Sequence, residues 1–313
     1  MIIRTMSTLS LIALLSSCGL TPIQKQQIAQ FATATESVST STQAQFKATR
    51  EKVIEIERRR LIMRNIIPAK DLDLDGGLSA SGIAIQIVTL KALGAYGDVL
   101  NKLASNDQSE AITKSATEFL TQYEAAIKIQ DNAYSLNKEK KDLFLKIVGI
   151  AGGWFVEQEK KKYMKSLVSI YAPEISKLAA LLKNDLTLKE DSLCIEKQER
   201  KLSTTIKVGV IDHYCTSAKS LINISSSVLN NKDKEISFQE REFAYNSYGL
   251  ALAAVEEIRL MSTKGAKAVE GLIMANNKVN KVISDDGYTT DDIKAFAQQV
   301  EELQTLVSIL TDK

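Results

Sequence analysis

Cysteine and histidine, which often bind metals or take part in nucleophilic catalysis, are scarce in this chain. It has three cysteines and one histidine in 313 residues. A catalytic triad would have to use His213, yet no nucleophile elbow or glycine-rich oxyanion loop accompanies Asp212-His213-Tyr214. A single histidine also leaves a zinc site short of ligands. No P-loop or dinucleotide fingerprint occurs. We therefore expect no catalytic residue, no metal and no cofactor, and we expect His213 to lie partly exposed on a helix.

One run of carboxylates has the spacing of a calcium loop. Asp71, Asp73 and Asp75 alternate with other residues and are followed by Gly76, so their side chains can converge on one cation. The twelfth position of such a loop normally supplies a bidentate carboxylate, and here it is Gly82. Without that ligand, the segment is a weakened calcium loop, a loop completed by a distant acid, or an acidic turn that binds nothing.

The N-terminus has the features of an export signal. Arg4 precedes a largely apolar run at 9–15, and small residues follow. The run is shorter than the roughly 20 residues that span a bilayer as a helix. Leu15-Ser16-Ser17-Cys18 resembles the lipobox of bacterial lipoproteins. The resemblance implies that residues 1–17 are a signal peptide and that Cys18 becomes the first mature residue, carrying palmitate or similar acyl chains.

The same resemblance implies a location. An Asp after the acylated cysteine commonly retains such lipoproteins in the inner membrane, and here the residue is Gly19. We therefore expect the periplasmic face of the outer membrane, with the membrane itself and an envelope protein as partners. The net charge of +2 gives no electrostatic case for nucleic acid.

Cys194 and Cys215 remain once Cys18 is assigned to the lipid anchor. In an exported protein a pair of cysteines favours a disulfide, since the compartment is oxidising. In the loop-entropy model, a disulfide at this spacing stabilises the folded state by about 3 kcal/mol. The alternative is two buried free thiols.

Long stretches without a helix breaker dominate the mature chain, which is rich in Ala, Leu, Ile, Lys, Glu and Gln. Capping boxes at Thr21-Pro22-Ile23-Gln24 and Ser237-Phe238-Gln239-Glu240, and a capping residue at Thr290, predict three helix starts. Further helices are expected over about 83–104, 108–136, 138–171 and 173–189.

Two charged or polar stretches of the first predicted helix need an interpretation. Residues 33–45 are rich in Ser and Thr, and they form either a helical stalk or a loose tether, of which we favour the helix. Arg58-Arg59-Arg60 follows several glutamates, so this run is expected to be a solvated face with paired charges.

The sequence therefore predicts an all-α fold of long and largely antiparallel helices, packed as an elongated bundle or a coiled-coil-like assembly. Apolar stripes interrupted by Ser, Thr and Gly favour irregular packing over a strict heptad seam. Its predicted divisions are the signal peptide (1–17), a lipidated N-terminus and stalk (18–45) and a helical bundle domain (46–313).

Residues 143–156 are the most apolar stretch of the mature chain and are flanked by lysines. The stretch is either a buried core helix or a membrane-contact segment, with Trp154 and Phe155 at the bilayer interface. Helical pore-forming toxins of the haemolysin E type are similar in outline.

The leading functional hypothesis is a non-enzymatic envelope lipoprotein that acts as a helical scaffold or interaction module in the periplasm. The alternative is a membrane-acting, pore-forming-toxin-like protein that uses residues 143–156.

Overall fold

The computed structural model describes residues 19–65, 74, 80–105, 109–130, 138–149, 157–188, 192, 194, 210–231, 236–285, 288 and 290–311. Nearly all of these residues are helical, and none of them is in a strand. The helices are α1 (Pro22–Met63), α2 (Ala80–Ala104), α3 (Ser109–Gln130), α4 (Lys138–Gly149), α5 (Glu157–Leu186), α6 (Val210–Asn230), α7 (Phe238–Ser284) and α8 (Asp291–Thr311). The helices pack against one another, which confirms the predicted all-α fold.

The helix starts predicted from capping residues are confirmed. At the start of α1, the Thr21 N–H donates to Gln24 Oε1 at 2.9 Å and the Gln24 N–H donates to Thr21 Oγ1 at 3.2 Å. The same reciprocal pair joins Ser237 and Glu240 at 2.8 and 3.2 Å ahead of α7. Thr290 Oγ1 accepts a backbone N–H at 3.2 Å at the start of α8. Local hydrogen bonding alone therefore fixes these three boundaries.

The Ser- and Thr-rich part of α1 is helical, as favoured, and not a loose tether. Two of its buried hydroxyl groups donate to carbonyls: Thr35 Oγ1 donates to Phe31 O at 2.8 Å, and Ser39 Oγ donates to Leu90 O of α2 at 2.6 Å. Because Thr35 and Ser39 are buried, these bonds offset the cost of placing hydroxyls in a core.

The helix boundary predicted at Pro173 is wrong, since α5 continues through this residue to Leu186. Buried side chains occur on both sides of the proline, including Tyr171 before it and Ile175 after it. Asn276 Nδ2 donates to the carbonyl of Ala172 at 2.8 Å. Tertiary packing therefore outweighs the helix-breaking tendency of proline. The predicted helix over 138–171 corresponds to α4 and the first part of α5, and residues 150–156 lie outside the described residues.

The chain forms two compact units, each assembled from three separated stretches. The first unit comprises residues 1–40, 88–180 and 270–301, and the second comprises 41–87, 181–269 and 302–313. The divisions proposed from the sequence at 17 and 45 concern processing and anchoring and stay predictions.

The first unit has an aromatic core. Its members are fully buried, with neighbouring ring centroids 5.1 to 6.4 Å apart: Phe31, Tyr96, Phe119, Tyr123, Tyr171 and Phe296. Burial raises the pKa of Tyr96, whose hydroxyl donates to Asn276 Oδ1 at 3.2 Å. A Cβ atom at Gly97 would lie 2.8 Å from the Ala32 carbonyl, so the close approach of α1 and α2 requires glycine.

In the second unit α1 and α7 run antiparallel, as predicted for most neighbours. Thr49 lies beside Met261, Lys52 pairs with Glu257, and further along α1 Arg59 Nη1 reaches Ser247 Oγ of α7 at 3.2 Å. Fully buried side chains of α1, such as Phe46, contribute to the core of this unit.

One described helix, over Ile83–Ala104 of α2, is long and apolar enough to cross a membrane by length and composition. Its most apolar window is 56% buried inside the protein, and Leu90, Tyr96 and Leu100 are fully buried. This helix therefore contributes much of its apolar surface to the core of the protein.

Candidate functional site

A cavity of about 510 Å³ lies in the second unit, where the C-terminal ends of α1 and α6 meet the start of α7. Its apolar lining comes from Ile62 and Met63 of α1, Val228 of α6, and Ile236 and Phe243 at the start of α7. A volume of this size accommodates a small ligand or the anchoring side chains of a protein partner.

Helix termini form the walls of this cavity, and the local sequence explains why the helices end there. Asn65 has a φ of 54°, the left-handed conformation that asparagine tolerates, and its N–H donates to the Ile62 carbonyl at 3.0 Å. The opposite wall is the capping box of Ser237 and Glu240, both of which line the cavity.

The polar lining is rich in hydroxyl and amide groups and poor in charge. Asn65, Ser227, Asn231 and Gln239 contribute uncharged groups. Among the described lining residues, Glu240 alone is ionisable, and its carboxylate accepts the Ser237 N–H. The described part of the lining therefore suits an apolar group with hydrogen-bonding neighbours.

Large apolar side chains extend from the rim of the cavity along α7. Phe238, beside the lining residues Ser237 and Gln239, is 79% exposed, and Tyr245 is 70% exposed. Leu252, 46% exposed, continues the same seven-residue spacing, which places the three on one face of the helix. Large apolar side chains that repeat along one exposed helix face are candidates for contact with a partner. We call Phe238, Tyr245 and Leu252 the α7 surface.

A network of polar contacts holds α1 against α6 and α7 beneath this surface. Lys52 Nζ lies 2.5 Å from Glu257 Oε2, and the Tyr214 hydroxyl lies 3.5 Å from the same oxygen. Burial, and to a lesser degree the Glu257 carboxylate, raises the pKa of Tyr214, so the tyrosine stays neutral.

The arginines at 58–60 form ion pairs with glutamates, as predicted. Arg58 and Arg59 contact Glu55 at 2.5 and 2.6 Å, and Arg60 contacts Glu57 at 2.6 Å. The Arg59 guanidinium also lies 5.3 Å from the ring centre of Phe243. It therefore helps to position an aromatic residue that lines the cavity.

The structure pairs Cys194 with Cys215, as the sequence analysis favours. Both residues are buried, and their Cα atoms are 5.8 Å apart, within the range that a disulfide needs. The Arg259 Nε donates to the Cys194 carbonyl at 2.9 Å, which ties the segment before α6 to α7. The cysteines are thus part of the fold of the second unit, and nothing brings them to the cavity.

Other site residues named from the sequence are not brought together by the described structure. Cys18, the calcium-loop candidates Asp71, Asp73 and Asp75, and the membrane-contact candidates Trp154 and Phe155 lie outside the described residues. His213 is half-buried on α6, as expected. Within the described ranges, no group of three or more His, Cys, Asp or Glu side chains is placed to hold a metal ion.

Sequence reasoning missed the α7 surface. Phe238 was assigned only a place in a capping box, and Tyr245 and Leu252 were part of an unbroken helical pattern. Their seven-residue spacing was the available signal, but spacing does not reveal which face of a helix is covered.

No protein-family model, curated protein sequence or solved structure matches this chain. The lipobox resemblance and the geometry of the cavity and the α7 surface are therefore the basis for a functional proposal.

Proposed function

We propose that the protein is a non-enzymatic lipoprotein of the bacterial outer membrane, anchored through Cys18 on the periplasmic face, that acts as a helical interaction module. The observation that carries the proposal is the exposure of Phe238 and Tyr245 next to an open cavity in the second unit. Aromatic anchors and the pockets beside them are the features that concentrate binding energy in protein interfaces.

The proposed partner is an envelope protein that inserts an apolar side chain into the cavity while it covers the α7 surface. The apolar side chains of the described lining complement such a side chain, and its hydroxyl and amide groups complement the backbone beside it. The lipid anchor would keep the module near partners in the same membrane and raise its effective concentration there.

Site-specific photocrosslinking in intact cells tests the proposal. A photoreactive phenylalanine analogue at Phe238 or Tyr245 should give the same discrete crosslinked product. The matched control position is Gln304, exposed on α8 of the same unit, and it should give none. Crosslinking that is absent at Phe238, or equal at Gln304, would contradict the proposal.

The membrane-acting alternative makes a different prediction. If residues 143–156 insert into bilayers, the unacylated protein should release dye from liposomes, whereas an interaction module should not. Of the residues at the start of this segment, Leu143 is buried, which agrees better with a core position.

A further inference from the structure

A second cavity, of about 730 Å³, lies between α4 and α5 in the first unit. Lys138 and Lys146 of α4 and Lys162 of α5 line it, and all three side chains are exposed. Two carboxylates, those of Glu139 and Asp142, share the lining. Among the described lining residues the ammonium groups therefore outnumber the carboxylates by one, which gives this part of the lining a net positive charge.

The remaining lining combines hydroxyl groups with an apolar wall. Tyr163 and Ser166 of α5 supply hydroxyls, which can donate hydrogen bonds to an anionic oxygen. Leu143, which is buried, and Ile170, which is half-buried, supply hydrocarbon surface. Lysines, hydroxyls and hydrocarbon side by side fit a ligand that is anionic at one end and apolar at the other.

A separate contact relates this cavity to the predicted lipid anchor. Lys161 Nζ, on the residue before the cavity-lining Lys162, donates to the Gly19 carbonyl at 3.3 Å. Gly19 is bonded directly to Cys18, the residue whose acyl chains would enter the bilayer. The N-terminal part of α5 is therefore held within one residue of the predicted anchor, where lipid headgroups would be the nearest anions.

We propose that the cavity between α4 and α5 binds the phosphate of an anionic phospholipid headgroup in the leaflet that holds the acylated Cys18. The inference rests on the lipid anchor of the proposed function. Lysines near an anionic membrane surface each add to binding, and the effect is screened by salt. Free phosphate offers the same charge, but it has no apolar portion to lie against the half-buried Ile170.

The test uses the mature chain from residue 18 with Cys18→Ser, so that acyl chains contribute nothing. This protein should sediment with vesicles of equal parts phosphatidylglycerol and phosphatidylcholine, and not with phosphatidylcholine alone. The triple variant Lys138→Gln, Lys146→Gln, Lys162→Gln should bind the anionic vesicles at least about tenfold more weakly.

The matched control changes the same amount of charge elsewhere in the first unit. Lys91, Lys114 and Lys281 are exposed and do not line the cavity. Their triple Gln variant should bind anionic vesicles like the parent, and circular dichroism should show both triples folded. If both triple variants lose vesicle binding equally, the attraction is nonspecific and the proposal is wrong. The proposal is also wrong if the parent protein does not bind anionic vesicles.

Binding of inorganic phosphate to the parent protein is the remaining test. If phosphate binds the parent through the cavity lysines while anionic vesicles do not bind, the headgroup assignment is wrong. Palmitate labelling of Cys18 in cells tests the anchor independently. An absence of label would refute the proposed function but would leave the vesicle result as a property of the cavity.

Discussion

Two phenylalanines of the second unit provide a direct test of which apolar side chains serve the fold and which are free for a partner. Phe46 of α1 is fully buried, whereas Phe238 of α7 is 79% exposed. Replacing each with alanine removes the same atoms. The difference between the two variants therefore reports the environment of each ring.

The expected magnitudes follow from burial. A fully buried phenylalanine replaced by alanine costs about 3 to 5 kcal/mol of unfolding free energy, since contacts are lost and a cavity remains. About a fifth of Phe238 is covered, so its replacement should cost only about 0.5 kcal/mol. Phe238→Ala should nevertheless abolish crosslinking from Tyr245, because the partner loses its anchor at the rim.

Urea denaturation of the unacylated mature protein, followed by circular dichroism, measures both variants. The midpoint should fall markedly for Phe46→Ala and stay near the parent for Phe238→Ala, with unchanged slopes. A loss of several kcal/mol in Phe238→Ala would show that this ring packs in the fold, and the interpretation of the α7 surface would then be untenable.

Three further predictions concern the anchor, the cysteines and one carboxyl group. Cys18→Ser should abolish palmitate labelling and leave precursor or a misplaced soluble product, and equal label in both proteins would disprove the lipobox assignment. Thiol counting on the denatured, unreduced mature protein should find Cys194 and Cys215 unreactive, and two free thiols would rule out the bridge. Burial, and next the Asp98 carboxylate, raises the pKa of Glu36 in the fold. Glu36 therefore contributes stability that is lost as pH rises from the ordinary glutamate pKa through the raised one, and Glu36→Gln should reduce that loss in pH-dependent melting curves, a result that an unchanged profile would contradict.

The helix starts and the charge pairs could be predicted because they depend on chemistry within a few residues. The capping boxes at Thr21 and Ser237 need only a hydroxyl and a carboxyl or amide three residues later, so the sequence contains the whole cause. The paired glutamates and arginines before Arg60 are equally local.

The failures depend on packing between distant parts of the chain. A proline usually ends a helix. At Pro173, however, the buried residues on both sides and the Asn276 amide keep α5 continuous. Phe46 and Phe238 are indistinguishable as apolar residues in helical sequence, and their opposite exposures follow from which helices lie beside them. The cavities could not be foreseen for the same reason, since each forms where separate helices meet or end.

The interleaving of the two units has a consequence for biogenesis. Gln24, in the first turn of α1, donates from its side chain to the carbonyls of Val282 and Ile283 at 2.7 and 3.2 Å, although 258 and 259 residues separate the partners. The first unit needs residues 270–301 as well as 1–40, and the second needs residues beyond 301. Neither unit can therefore close until nearly all of the chain is available, since each one uses residues close to both ends. Until then the earlier helices lack packing partners and leave apolar surface open to chaperones, and a fragment that stops before residue 270 would complete neither unit.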